Sequence, residues 1–234
     1  IFATATWIAD NEMFMKSRPL PVTEVTDREM ERITLLSSPS PVLGVFGIPD
    51  HSGKPIPAID TRDTLFLALD DIRDPGNLGT IIRIADWFGV TTIFCSETCV
   101  DPFNPKVVQA TMGSIARVEI IPTALEILLG SFTRQGADIY GAVLEGKPLV
   151  DLPAFHGGIL LIGNESRGIS PEAARFITQR VSIPSYGNAN RGKAESLNAS
   201  VAAAILVAEF RRHSMCSPAR SEERRVGKEC RSRW

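Results

Sequence analysis

The amino-acid sequence predicts an α/β protein built on a mostly parallel sheet with helices on both faces. Three observations lead there. From residue 63 onward, short apolar runs alternate regularly with segments of helical spacing. The apolar runs are nearly continuous, as in strands buried on both faces. The composition, 44% hydrophobic and 22% charged over 234 residues, is that of an ordinary globular protein with room for one large domain or one and a half smaller ones.

Residues 1–58 are rich in turn formers, and "SSPSPVLGVFGIPDHSGKPIPAID" (37–60) carries five prolines and three glycines. Before it, "TDREMERITLL" (26–36) reads as a short helix, with Thr26 or Asp27 as cap and Ile33 and Leu36 facing inward. "PVLGVFGI" (41–48) fits a strand. This stretch resembles the end of a small α/β domain, with a linker near residues 49–62.

The regular part opens with "TLFLALD" (64–70), a buried strand, followed by a helix over "NLGTIIRIADWFG" (77–89) that Gly89 terminates. "TTIFCS" (91–96) is a second strand. "NPKVVQATMGS" (104–114) begins with a capping Asn and a first-turn proline, the opening of a helix. "ARVEII" (116–121), "TALEILLGSF" (123–132) and "ADIYGAVL" (137–144) continue as strand, helix and strand. "GGILLIG" (157–163) is a strand, "PEAARFIT" (171–178) a helix, and "RVSIP" (180–184) a last strand. "SLNASVAAAILVAEFRRH" (196–213) is a long Ala-rich helix with Arg211 and Arg212 in its last turn.

Several function classes are excluded or disfavoured. No apolar run approaches the roughly 20 residues that span a membrane, and no signal-peptide pattern opens the chain. Because the first residue is Ile, an upstream segment is expected to be missing. Cys95 and Cys99 lack the spacing and the second pair of a zinc site, which favours small reduced thiols in a cytoplasmic protein. His51, His156 and His213 are scattered, so no histidine metal site is expected. The last fifteen residues, "RSEERRVGKECRSRW", contribute +3 and resemble an in-frame translation of a sequencing adapter; a basic nucleic-acid-binding tail is the alternative. Removing that +3 from the net charge of −2 leaves a body at −5, so any RNA must be held by a local patch.

In open parallel sheets, ligand-binding groups gather in loops beyond the carboxyl ends of the strands. Three such loops have unusual polar content: 70–79, 163–170 and 184–198. In the first, Gly76 and Gly79 bracket Asn77, without the glycine fingerprint of a dinucleotide fold or the Gly-Lys-Ser/Thr of a P-loop. Arg83, flanked by Ile81, Ile82, Ile84 and Ala85, is either surface charge or a phosphate-directed guanidinium. In the third, Ser196 reads as a helix N-cap.

Taken in order, these loops resemble the three motifs of the SpoU/TrmH family of RNA 2′-O-ribose methyltransferases, within the SPOUT superfamily. Motif one is Asn77-Leu78-Gly79 with Arg83. Motif two is Ile162-Gly163-Asn164-Glu165 with Gly168. Motif three is Ile183-Pro184 followed by Ser196-Leu197-Asn198. The match covers about residues 63–213, and "NPKVVQATMGS" resembles a family segment between the first two motifs.

The resemblance implies a catalytic domain over 59–214 with a C-terminal trefoil knot, which general topology rules would not propose. It also implies a homodimer, a partial RNA-binding domain over 1–58, and a tail over 215–234 outside the fold. S-adenosyl-L-methionine is the implied cofactor, contacted by Gly163, Ile183 and Leu197, and rRNA or tRNA the implied partner. Arg83 is the implied catalytic residue, with Asn77, Glu165, Ser196 and Asn198 arranging the site. Since guanidinium stays protonated in proteins, Arg83 is expected to hold phosphate and stabilise developing alkoxide charge rather than act as a base. Glu165, between two glycines, is expected to orient the site and to pair with Arg83 before substrate arrives. Loop 184–195 is longer than in the familiar members and holds Arg191 and Lys193. Asn104, Lys106 and Arg117 are further candidates for phosphate contact. The competing readings are a catalytically idle RNA-binding dimer of the same fold and a nucleotide-dependent oxidoreductase, which the missing glycine fingerprint disfavours.

Overall fold

A computed structural model describes residues 1–18, 20–36, 38–49, 64–151, 157–186 and 196–215. The expected linker from residue 50 onward, the end of the long loop with Arg191 and Lys193, and the C-terminal tail beyond 215 lie outside the described residues. The chain divides into two compact units, Ile1–Asp50 and His51–Trp234.

In the first unit, β1 (Phe2–Ala3) pairs in parallel with β2 (Thr23–Glu24) and antiparallel with β3 (Val42–Leu43). Between them run α1 (Ala5–Asp10), α2 (Glu12–Ser17) and α3 (Asp27–Ile33). Thr26 caps α3 through a reciprocal box with Glu29. The structure shortens two elements. The strand expected over 41–48 keeps two residues, because prolines at 41 and 49 and glycines at 44 and 47 weaken its ladder, and Phe46 is 85% exposed. α3 stops at Ile33, and Met30, not Ile33 or Leu36, is its buried residue.

The second unit holds β4 (Leu65–Leu69), α4 (Pro75–Trp87), β5 (Thr92–Cys95), α5 (Pro105–Ala110), β6 (Glu119–Pro122), α6 (Leu125–Arg134), β7 (Ile139–Pro148), β8 (Gly158–Ile162), α7 (Pro171–Ala174), β9 (Gln179–Ser182) and α8 (Ala199–Met215). Its strands form one sheet in the order β6-β5-β4-β8-β7-β9, and every pairing is parallel. Alternate residues of the strands point to opposite faces. Leu65, Leu67, Leu69, Ile93, Leu160 and Ile162 pack with α4 and α8. Phe66, Ala68, Phe94, Ile159 and Leu161 pack with α6 and α7. Each fully buried Leu or Ile stabilises by roughly 1.5–3 kcal/mol. Phe66, Phe94 and Phe132 form a ring triangle with centroids 6.0–6.1 Å apart, and the Phe210 ring of α8 meets Tyr140 at 4.8 Å.

α4 and α8 are tied at both ends. Asn198, just before α8, bonds Asn77 in the first turn of α4, whereas the Arg211 guanidinium donates to the carbonyls of Phe88 and Gly89 at the α4 C-terminus, both at 2.7 Å. The helices therefore run parallel, with both positive dipole ends together and a cation at the α4 carboxyl end. Two helices are shorter than their spacing predicted. α5 ends before Met112 and Gly113, whose φ of 51° and 87° no helix continues. α7 ends where Thr178 turns the chain into the sheet, its hydroxyl accepting from the Ile139 amide at 2.9 Å.

Gly79 is set by packing. A Cβ there would run into the Ala110 Cβ and the Val107 carbonyl of α5. Gly79→Ala is expected to destabilise the sheet unit by about 1–3 kcal/mol, read as a lower denaturation midpoint at unchanged slope.

Candidate active site

At the carboxyl ends of β4 and β8 the chain forms two loops that hold each other. Asp70, 5% exposed, accepts from the Ser170 amide at 2.8 Å and so fixes the start of α7. Asp71 follows with a left-handed φ of 60°. Its amide donates to Ser96 at 2.9 Å, and its carbonyl accepts from the Asn164 side chain at 2.8 Å. Asn164 also closes its own loop, accepting through Oδ1 from the amides of Ser166 and Arg167, while its backbone pairs both ways with Gly168. Below, the Cys99 Sγ accepts from the Ile72 amide and donates to the Leu69 carbonyl. A hydrogen bond with Cys95, opposed by burial, leads the shift that draws the Cys99 thiol down to about 7.

Glu165 sits on this braced loop, and its partner is Asn77. The Asn77 side-chain amide donates to Glu165 Oε1, and the Asn198 side-chain amide donates to Asn77 Oδ1 at 2.9 Å. Asn198 Oδ1 in turn accepts from the Ser200 amide at 2.9 Å and the Ser200 hydroxyl at 2.7 Å. The orientation of both amides is determined, because a backbone N–H at one end can only donate and a carboxylate at the other can only accept. One residue from each loop thus joins a single line, and its carboxylate stands beside the N-terminal ends of α4 and α8, where negative charge is favoured.

Next to this line lies a cavity of about 740 Å³ whose walls include Gly163, Glu165, Ile183, Tyr186, Ser196 and Leu197. Ala199, Ala202 and Leu206 of α8 supply an apolar wall. The structure therefore gathers Gly163, Ile183, Leu197, Glu165 and Ser196 on one cavity and binds Asn77 and Asn198 at its edge.

The structure places the remaining candidates and corrects the Glu165–Arg83 pairing and the Ser196 cap. Arg83 is exposed on α4, lines neither large cavity, and makes no hydrogen bond or ion pair with any described residue. Glu165 pairs with Asn77 and not with Arg83, since six residues of helix carry Arg83 about 9 Å along the axis and onto another face. Asn198, not Ser196, caps α8, because the helix begins at Ala199. A Cβ on Gly163 would strike the backbone of Gly168 and Ile169, so the glycine is required by its own loop before any ligand is considered. Arg117 is occupied by Asp86 at 2.7 Å; that pairing, with Ser114 adding a second bond, holds the Asp86 carboxyl below its ordinary value. Asn104 caps α5 by accepting from the Lys106 amide at 3.0 Å.

Sequence reasoning missed Asp71 and Ser200. Ser200 carried a signal, as the donor two residues past a capping Asn. Asp71 carried none, because its left-handed backbone is set by contacts with residues far along the chain.

The line of fixed polarity makes a pH-dependent prediction. Asn77→Asp places a second carboxyl against Glu165, so one of the two must hold a proton and its folded-state pKa rises above the unfolded value of about 4. The variant's stability relative to the parent is expected to be greatest below pH ~4 and to fall as pH rises through the raised value, measured by urea unfolding from pH 4 to 8. Glu165→Ala should cost about 1 kcal/mol at neutral pH, and Glu165→Gln, which keeps an acceptor oxygen, less than half of that.

Comparison with known proteins agrees with this geometry. The SpoU rRNA Methylase family model matches residues 64–208. The 23S rRNA (guanosine(2553)-2′-O)-methyltransferase RlmP of Bacillus subtilis is 34% identical over 146 residues, 62% of this chain and 57% of that protein. The chain spans about half the length of the first curated relatives it matches, 57% and 53%. A putative RNA methyltransferase of the TrmH family from Porphyromonas gingivalis superposes with a TM-score of 0.74 at 40% identity, over 90% of this chain and 81% of that one. An AdoMet-bound rRNA methyltransferase from Sinorhizobium meliloti does so with a TM-score of 0.74 at 30% identity, over 91% and 79%. With its three loops converging on one carboxylate and its sheet unit matched nearly throughout, this chain belongs to the SpoU rRNA methylase family.

Proposed function

We propose that this protein transfers a methyl group from S-adenosyl-L-methionine to the 2′-hydroxyl of a ribose in rRNA or tRNA. The observation that carries the reading is the line Asn198–Asn77–Glu165 at the rim of the 740 Å³ cavity, which unites the three family motifs where a cofactor and a ribose would meet. The residues fit the cofactor. The cavity combines an apolar wall from Ala199, Ala202 and Leu206 with main chain at Gly163, Ile183 and Leu197, which suits an adenosine held by its ring faces and by backbone groups. The 34% identity to a 2′-O-methyltransferase over 146 residues and the AdoMet-bound neighbour support the same assignment.

When bound, S-adenosyl-L-methionine would supply the activated methyl, whose bond to sulfur breaks as the bond to the ribose oxygen forms, with the hydroxyl proton released to solvent. The chain's own task is orientation and charge. Glu165, fixed by Asn77, is positioned to accept a hydrogen bond from a ribose hydroxyl and set its direction of approach. Ser196 offers a hydroxyl on the same cavity wall. Arg83, charged and not engaged by any described residue, is available to the phosphate adjoining the ribose and to the oxyanion character that develops there.

The finer expectations belong to the same proposal. The chain acts as a homodimer, to which the exposed Val201 and Ile205 of α8 would contribute apolar area. A trefoil knot is supported by family membership and by a chain that leaves the edge strand β9 and returns to α4. The first unit contributes to RNA binding. The protein's compartment is the cytoplasm, in keeping with the free thiols Cys95 and Cys99. The idle-dimer alternative is disfavoured because Asn77, Glu165, Ser196 and Asn198 are all at the cavity or its rim.

Incubation of rRNA and tRNA with methyl-labelled S-adenosyl-L-methionine should yield a 2′-O-methylated nucleotide. Arg83→Ala should lower kcat by about 10²–10³-fold, and Arg83→Lys should retain part of the activity. Absence of ribose methylation in both RNA pools would remove the assignment.

A further inference from the structure

A second cavity, of about 710 Å³, opens on the other side of loop 164–168, between that loop, Asp71–Arg73, Ser96–Thr98 and the start of α6. Arg167 lines both cavities and so stands on the wall between them. Arg73 lines the second, and it converges with Arg167 on one carboxylate. Arg73 Nε lies 2.8 Å from Asp71 Oδ1, and Arg167 Nη1 lies 3.9 Å from Asp71 Oδ2. The Asp71 side chain is 14% exposed, whereas those of Arg73 and Arg167 are 54% and 69% exposed.

We propose that Arg73 and Arg167, held by Asp71, form a clamp for an RNA phosphate on the wall between the two cavities. The inference rests on the reading of this protein as acting on RNA. Exposed ion pairs of this kind contribute only about 0–1 kcal/mol, so stability is a weak reason to gather two guanidiniums around Asp71. Two guanidiniums and one carboxylate leave one positive charge directed outward, which matches a single phosphodiester. The other charged groups confine it. Glu97 and Glu172, both exposed, line the same cavity and repel phosphate from it, the Asp70 carboxylate is engaged by the Ser170 amide, and Glu126 is paired with Arg175 at 2.8 Å. Thr123, whose hydroxyl has no hydrogen-bond partner among the described residues, and the mutually bonded Ser96 and Thr98, 2.9 Å apart, give that cavity hydroxyl oxygens suited to the amino groups of a nucleobase. The clamp would hold the nucleotide next to the methylated ribose, since Arg167 is two residues from Glu165.

The test uses the full chain, S-adenosyl-L-methionine and the methylated RNA, with RNA retention on filters measured independently of turnover. Arg73→Gln and Arg167→Gln should each raise the KM for RNA on the order of ten-fold and flatten the salt dependence of binding by roughly 0.7 for each arginine removed from the phosphate. For Arg73→Gln, which lies outside the cofactor cavity, the kcat at saturating RNA, the Kd for S-adenosyl-L-methionine and the Tm should stay at parent values, and Arg134→Gln, on the surface of α6, should change nothing. Asp71→Asn keeps a residue tolerant of the left-handed turn but releases both arginines. It should raise the KM although local positive charge increases, and a fall in KM would overturn the positioning role. The clamp is overturned if the double arginine variant matches Arg134→Gln in KM and salt slope, or if its losses follow Tm or cofactor affinity. Inorganic phosphate at matched ionic strength should compete with RNA for the parent protein; competition of equal strength in the double arginine variant overturns the clamp too. Parent protein that retains RNA through these arginines without methylating it leaves the clamp standing and removes the enzymatic reading; parent protein that does neither removes both.

Discussion

The arrangement of this protein depends on a hydrogen-bonded line whose polarity is fixed at both ends. The Ser200 amide can only donate and the Glu165 carboxylate can only accept, so the two intervening asparagines have one arrangement that satisfies every member. An acid at either asparagine, or a donor in place of Glu165, would set like groups against each other. The line therefore specifies how three loops, separated by 88 and 121 residues of sequence, must meet. Few interactions discriminate so strongly between correct and incorrect assembly at so little cost in buried charge.

That line works because the helices beneath it are parallel. A parallel pair places two positive dipole ends side by side, an arrangement unfavourable in itself, and the structure offsets it twice. Glu165 brings negative charge to the amino ends, and Arg211 brings positive charge to the α4 carboxyl end. Packing supplies the remainder: Leu78, Ile81 and Ile82 of α4 and Ala203, Leu206 and Val207 of α8 share one core with the sheet. The site is thus continuous with the fold, since the helix pair that closes one face of the sheet also presents the amide relay at its end.

Much of the architecture was legible in the chain. The strand and helix rhythm from residue 63 placed every element of the sheet unit within a few residues, because continuous apolar runs and helical spacing are local properties. Errors fell at element ends, where a local pattern competes with a distant partner. The apolar spacing of 171–178 suggested two turns of helix, yet Thr178 exchanges hydrogen bonds with Ile139 and the helix closes at Ala174. The motif residues were legible as a set, but their physical roles were not. Gly79 and Gly163 stood out as motif glycines, and each is fixed by protein backbone or a neighbouring helix rather than by a ligand.

By itself the sequence determined the class of fold, the order of its strands and helices, and which three loops carry polar groups, all of which follow from periodicity and residue chemistry along short windows. The tertiary structure alone decided that Glu165 faces Asn77 instead of Arg83, that Asn198 caps α8, and that Asp71 gathers two arginines between two cavities. The physical reason is that hydrogen-bond partners are set by where helix ends and strand ends arrive in space. A period of two or of 3.6 residues tells which way a side chain points, and only the sheet order tells what it meets there.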